Sequence, residues 1–434
     1  MSNTFRIVDL FAGIGGLRNG VVNSINKHGD KAEIVFTSEI KKTAIATLKA
    51  NFPEETIHGD ITQINENDIP DHDILLAGFP CQAFSFAGTR KGFQDTTKGT
   101  LFFDTARIIK AKKPSYFILE NVEGLITHDP DPADRKAPYG RTLTTILTTL
   151  QQIGYNVSWG LLDASQFGVP QARKRIFIVG SLSSQPKLPT PTQAQTPVSK
   201  ILQKNIKETD PKVQAFSKLL TSQYSIEHLK GKAVRDKRGG PNNIHSWNIE
   251  YWGKTSKQER ELLEKLALES RKKSWSIINK VHYTDGMPLS INNIKTFITM
   301  PKQQLKTMLD KLTKQGYLYK EPNNTYRIYS GKLSFPISRI LHPDHPTPTL
   351  VATDADRLGV CDGKHIRRLT DTEIKRLFGF PDNYKTPTNI TRRQTFDLYG
   401  NSVVSPVAEA VTTSLIYNKK TKQNDIIYIN HKQH

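Results

Sequence analysis

Cysteine is nearly missing from this chain: its 434 residues hold two, Cys81 and Cys361. They are far apart, and neither stands in a cluster of Cys and His at metal-ligand spacing, which argues against a disulfide framework and a cysteine-based metal centre. No window approaches 18 uncharged apolar residues, so no membrane-spanning helix is expected. The opening MSNTFRIVDLFAG lacks the basic region and apolar run of a secretory signal, and a cytoplasmic protein is expected. Acidic residues are scarce too: 41 Asp+Glu face 61 Lys+Arg, for a net charge of +20. That balance points to a polyanionic partner. Residues 181–345 hold 28 Lys+Arg and 13 Asp+Glu. A generally basic, solvated surface is the plain alternative, but such concentration favours a nucleic-acid footprint.

What is present is an alternation. Within residues 5–180 the apolar runs FRIVDL, AEIVFTS, HDILLAG, YFILENV, NVSWGLLD and RIFIVG read as strands. Stretches of helical length and spacing lie over 17–26, 42–52, 100–111 and 143–153. The pattern predicts an α/β fold, a doubly wound and mostly parallel sheet, with ligands beyond the carboxyl ends of its strands. After Gly180, SLSSQPKLPTPTQAQTP marks a boundary. Further on, LSINNIKTF, MPKQQLKTMLDKLTKQGYL and YLYKEPNNTYRIY read as helix, helix and β-hairpin, an order found in winged-helix DNA-binding modules. The stripe Leu305, Met308, Leu309 and Leu312 also suits a plain core helix. An apolar helical pattern resumes over 403–417, and 419–434 reads as a tail.

In DLFAGIGG, Gly13, Gly15 and Gly16 permit a tight strand-to-helix turn where backbone can approach a ligand. Glu39 ends the second strand, where an acidic side chain can hold the ribose hydroxyls of an adenosine ligand; Asp60 ends the next, near the adenine amino group. Together they suggest a nucleoside cofactor. The loop lacks the Lys-Ser/Thr pair of a P-loop, which argues against a nucleoside triphosphate. Cys81 follows Pro80 in LLAGFPCQAFSFAG and is either a small buried hydrophobe or a presented nucleophile. Glu120 in ENV terminates a buried strand, a costly place for a carboxylate unless it is used.

The blocks DLFAGIGG, GFPCQAFS, KGTLFF, ENV, QARKR, RRLTDTEIKRLFGFPDNY and YGNSV stand in the order and spacing of the cytosine-C5 DNA methyltransferases. The chain resembles that family over residues 5–180 and 345–417. The resemblance implies S-adenosylmethionine as cofactor and a flipped cytosine in double-stranded DNA as substrate. It implies a methyltransferase-fold catalytic domain from 1–182 and 398–418, with a basic target-recognition domain inserted over 183–397. The variable region is 183–345, and the winged-helix-like part is 288–330. The resemblance makes Cys81 the nucleophile, with Gln82 beside it. Glu120 is expected at the N3 and amino edge of cytosine, Asn121 as the brace of the nucleophile loop, and Arg175 at the pyrimidine O2. Arg173 anchors the loop or a DNA phosphate. Around the cofactor it implies Phe11 against the adenine, Ala12, Gly13, Gly15 and Gly16 in the loop, and Glu39, Ile40, Asp60 and Ile61 at strand ends. Pro80 and Leu101 are expected near it, and Asn401 and Val403 at its methionine side. Ser85 and Arg90 fall in a loop that closes over the flipped base. Arg235, Lys237, Arg238, Arg271, Lys272 and Lys273 are candidate DNA contacts, and no metal is expected. The leading expectation is the protective methylase of a restriction-modification system, a monomer on DNA. Its cognate restriction endonuclease would act on the same site without a stable complex. A tRNA cytosine methyltransferase of this fold and a catalytically silent DNA-binding scaffold are the alternatives.

Overall fold

The structure is a computed structural model that describes residues 2–80, 101–132, 134, 137–191, 194–236, 242–328, 335–350 and 355–418. The chain divides into two compact units: residues up to Thr196 together with those from Lys375 onward, and Pro197–Ile374.

The first unit opens with β1 (Thr4–Leu10), α1 (Gly16–Lys27), β2 (Lys31–Ser38), α2 (Lys42–Asn51), β3 (Ile57–His58) and β4 (Ile74–Ala77). There follow α3 (Leu101–Lys112), β5 (Tyr116–Val122), α4 (Arg141–Ile153), β6 (Asn156–Asp163) and β7 (Lys174–Ser181). The second unit supplies α5 (Pro211–Gln223), α6 (Ile226–Leu229), β8 (Ala233–Val234), β9 (Asn243–Ile244), α7 (Lys257–Glu269) and α8 (Ser274–Ile278). It continues through β10 (Leu289–Ser290), α9 (Ile291–Lys295), α10 (Lys302–Gln315), β11 (Leu318–Lys320) and β12 (Thr325–Ile328). β13 (Arg339–Ile340), β14 (Leu358–Asp362) and β15 (His365–Arg368) complete it, the border falls within α11 (Asp371–Leu377), and α12 (Arg392–Gly400) and α13 (Ser405–Thr412) belong again to the first unit.

The first unit is built on a seven-stranded sheet of order β3-β2-β1-β4-β5-β7-β6. The strands from β3 to β5 run parallel, whereas β7 is antiparallel to both β5 and β6. Only residues 164–173 link β6 to β7, too few for the crossover a parallel pair requires. All four residues of β4 are buried, as are Ile7, Val8 and Leu10 of β1, which explains their uninterrupted apolar sequence. α4 sets Leu143, Ile146, Leu150 and Ile153 on its buried face and stops at Gly154, whose φ of 108° suits a residue without Cβ. The winding reverses between β1 and β4, so a crevice is expected beyond their carboxyl ends.

α13 returns to pack on α1. Ser405 Oγ donates to the Gly16 carbonyl at 3.0 Å, and Ser24 and Thr413 share a hydroxyl hydrogen bond of 2.8 Å. The borders fall after Thr196 and before Lys375, whereas the resemblance implies 182 and 398. The polar linker stays with the first unit because Gln185 Nε2 donates to the Val157 carbonyl and Ser158 Oγ donates to the Pro186 carbonyl. Residues from Lys375 onward join it through Gln171 Nε2, which donates to the Leu377 carbonyl, and Tyr384 Oη, which donates to that of Ile14.

The second unit has two separate apolar cores. One gathers Val213, Phe216, Leu220, Ile337 and Ile366 against the five-stranded sheet β15-β14-β13-β8-β9. The other joins Trp247, Leu263, Leu289, Ile294, Leu309 and Tyr326, with the three-stranded sheet β10-β12-β11 at its side. No described helix is long and apolar enough to cross a membrane.

The α1–α13 contact gives a stability prediction. A Cβ at Gly20 would stand 2.6 Å from Ala408 Cβ and also meet the Ser405 carbonyl. Gly20→Ala is expected to lower the unfolding free energy by about 1–3 kcal/mol through overpacking. Gly124→Ala, with nothing within 4 Å of its Cβ, is expected to stay within about 0.5 kcal/mol of wild type. Chemical denaturation of the two variants checks this.

Candidate active site

The loop leaving β1 is strained for a purpose. Phe11 adopts a φ of 54°, unfavourable for a bulky L-residue, and is followed by Gly13 at 57° and Gly15 at 78°. Ala12 N–H donates to the Ser38 carbonyl at 3.1 Å and Gly15 N–H to that of Ala12 at 2.8 Å, so the turn is closed against β2. Glu39 then joins the two strand ends: its Oε2 accepts from Gly13 N–H at 2.7 Å, its Oε1 from the N–H groups of Ile40 and Lys41 at 2.9 and 2.7 Å. A carboxylate has about four lone-pair directions, so acceptor capacity remains for a ligand hydroxyl. Nothing lies within 4 Å of a Cβ built on Gly13, and Ile40 beside it is 68% exposed. Asp60 is exposed and caps the turn after it, Oδ1 accepting from Thr62 N–H at 3.0 Å; its other oxygen has no partner among the described residues. An anchored carboxylate, open backbone, an uncovered isoleucine and a second carboxylate fit an adenosine ligand.

Two predicted cofactor residues have a part in the fold as well. Ile61 is 2% exposed and packs in the core of the first unit, leaving only its backbone for a ligand. A Cβ on Gly16 would collide with Ser402 Oγ and the Val403 carbonyl, so its lack of a side chain admits the returning chain. Leu101 is half-buried against the same core, and Asn401 is exposed with its amide donating to the Asp397 carbonyl at 2.9 Å.

The second cluster forms where β5 and β7 pair, with Glu120 opposite Phe177 and Val122 opposite Arg175. Arg175 Nε lies 3.2 Å from Glu120 Oε1 in a half-closed setting. Burial raises the Glu120 carboxyl above its ordinary range, against the pull of Arg175 and then Arg173. Burial lowers Arg175, with Glu120 opposing it, and lowers Arg173 to about 9. Arg173 is itself buried, donates to the Ser402 carbonyl at 3.0 Å and lies over the Phe378 ring. That bond ties the link between β6 and β7 to the segment around Ser402. Val403 lines a small recess with both arginines.

Asn121 faces the exit of β4. Its Nδ2 donates to the Phe79 carbonyl at 2.8 Å and its Oδ1 accepts from Val122 N–H at 2.8 Å. Gly78 passes the Glu120 carboxylate, Oε2 being 3.7 Å from where a Cβ would stand, and Pro80 beyond it is exposed. Cys81, Gln82, Ser85 and Arg90 lie outside the described residues, as do Lys237 and Arg238. In the second unit Arg235 is half-buried; Arg271 and Lys272 reach Asp285 and Glu269 at 3.3 and 2.7 Å, while Lys273 is exposed. Such surface pairs are worth about 0–1 kcal/mol and yield readily to a phosphate.

Sequence reasoning missed a buried support under the glycine loop. Arg18 Nε lies 3.1 Å from Asp9 Oδ2, its Nη1 2.7 Å from Glu55, and its guanidinium sits over the Phe52 ring. Burial raises Asp9 despite that partner. The signal was an arginine in helical register with Val21 and Ile25 on a buried face.

A family model of the C-5 cytosine-specific DNA methylases matches residues 5–417. The type II methyltransferase M.NlaIV of Neisseria lactamica is 48% identical over 429 residues, covering 95% of this chain and 99% of its own. M.BanI of Aneurinibacillus aneurinilyticus, also a type II methyltransferase, is 38% identical over 95% of this chain and 96% of its own. The solved Dnmt2 methyltransferase of S. pombe shares the fold, with a TM-score of 0.50 and 16% identity over 94% of this chain and 96% of that one.

Two outcomes follow from the geometry. Asn121→Ala removes the two hydrogen bonds that tie the exit of β4 to β5 and is expected to cost about 2 kcal/mol, read by denaturation. Glu120 binds its proton more tightly folded than unfolded, so its stabilising contribution is complete below the ordinary value of 4.5 and is lost as pH rises through the raised folded value. Glu120→Gln is therefore expected to gain stability relative to wild type as pH rises above the ordinary value of 4.5, measured as the difference in unfolding free energy.

Proposed function

The chain belongs to the C-5 cytosine-specific DNA methylase family, and on that footing we propose that it methylates carbon 5 of a cytosine flipped from a short, specific site in duplex DNA. The observation that carries the reading is the meeting of Glu120, Arg175 and Asn121 at the exit of β4, the strand whose chain continues through Pro80 to Cys81.

Cytosine C5 is a weak nucleophile inside an aromatic ring. Addition of the Cys81 thiolate to C6 forms an S–C bond and moves the ring π electrons toward C5 and N3. The raised Glu120 carboxyl is protonated over a wider range than an ordinary glutamate, and donates to N3 as that charge develops. Arg175 holds the carboxyl in place and offers its remaining N–H groups to the pyrimidine O2. Asn121 fixes the strand exit from which the thiol is presented, and Arg173 ties the β6–β7 link to Ser402. Glu39, Ile40 and Asp60 hold S-adenosylmethionine, which supplies an electrophilic methyl group when bound. Loss of the C5 proton to water and expulsion of the thiolate restore the ring. The full-length relatives carry type II methyltransferase names, which supports a protective role beside a restriction endonuclease reading the same site.

Transfer of labelled methyl from S-adenosylmethionine to duplex DNA, with the product mapped as 5-methylcytosine, tests the proposal. Transfer to tRNA instead of DNA would sink it. DNA bearing 5-fluorocytosine is expected to trap a covalent adduct with wild type and none with Cys81→Ala. Glu120→Gln is expected to lower kcat about 10²–10³-fold with cofactor affinity unchanged.

A further inference from the structure

From the apolar core around Trp247 and Tyr326 we infer that residues 257–328 form a winged-helix module whose α10 enters the DNA major groove and reads bases through Gln303, Lys306 and Thr307. The inference rests on the duplex-DNA reading above and deepens it by naming the surface that selects the site.

The chain order is α7, α8, β10, α9, α10, then the hairpin β11–β12, with β10 pairing antiparallel to β12. α10 buries Leu305, Leu309 and Leu312 in the module's core. The opposite face keeps Gln303, Lys306, Thr307, Asp310 and Lys314 in or near solvent. Gln303, Lys306 and Thr307 stand at i, i+3 and i+4, one face of the first two turns. That is where a recognition helix presents its reading side chains. At 14 residues, α10 is about 21 Å long, and a helix of this width fits a groove about 12 Å wide.

Charge separates α10 from the other long helix of the module. Lys302, Lys306 and Lys314 lie within 4 Å of no carboxylate among the described residues. The one acid on that face, Asp310, accepts from Tyr326 Oη at 3.1 Å and lies 3.8 Å from Lys320, so its charge is already answered. The exposed side of α7 instead sets Glu261 and Glu264 between Lys257 and Lys265, and gains nothing from a phosphate backbone. The free amide of Gln303 has the donor and acceptor pair that matches an adenine edge, and Lys306 matches the acceptors of guanine.

A pool of randomised duplexes, selected by binding and sequenced, tests this without requiring catalysis, while methyl transfer by the same preparations reads the function separately. Wild type is expected to enrich a short motif. Gln303→Ala/Lys306→Ala is expected to lose preference at one or more motif positions and to bind the motif duplex about 10–100-fold more weakly. Lys265→Ala, which removes the same charge from α7, is expected to keep both motif and affinity. Cofactor binding and thermal melting report folding, and Gln303→Glu serves in place of the double variant if that one unfolds. An unchanged motif with affinity within twofold of wild type overturns the inference, as does an equal loss in the Lys265→Ala control or the absence of any enriched motif.

Discussion

A carboxylate buried beside two guanidiniums is the constraint from which the rest of the first unit takes its form. Glu120 could not sit at the end of a buried strand as a lone anion, and Arg175 reaches it because β7 runs antiparallel to β5 and sets Val122 opposite that arginine. The short link that sets β7 antiparallel to β6 carries Arg173 and its bond to Ser402. One ion pair therefore ties strand direction, loop path and the return of the distant chain end to a single place. Burial, against the pull of both arginines, keeps the carboxyl protonated more readily than in water, the property an acid needs when charge appears on a ring nitrogen.

The cofactor side obeys a different economy. Glu39 uses three backbone N–H groups to lock two strand ends together. A ligand then meets acceptors that are already oriented, which reduces what binding must spend on ordering. Arg18, Asp9 and Glu55 prop the loop from beneath.

Much of this was legible in the sequence because it is local. The strands, their buried apolar runs, the glycine turn and the acidic residues at strand ends depend on neighbours within a few positions. The seven ordered blocks gave the family, and the helix, helix, hairpin order of residues 289–328 stands in the letters as in the coordinates. What escaped depends on partners hundreds of residues away. Gly16 reads as a ligand glycine until Ser402 and Val403 are seen against it. Arg173 reads as the anchor of the loop or of a DNA phosphate, and its burial and its bond to the Ser402 carbonyl appear only in the fold. Ile61 reads as a pocket residue by position, yet its side chain turns inward. The domain borders shifted because a polar linker hydrogen-bonds along β6 where composition suggested a break.

The docking of α13 on α1 has a temporal side. The ribosome emits α1 early, but the surface that must cover it arrives only after the whole second unit, Pro197–Ile374, has been made. At roughly 5–20 residues per second, the nascent sheet waits on the order of ten seconds or more with that helix uncovered. A chain halted before Ser405 leaves this gap unfilled, so the cover on α1 comes all at once, with that late segment, rather than gradually.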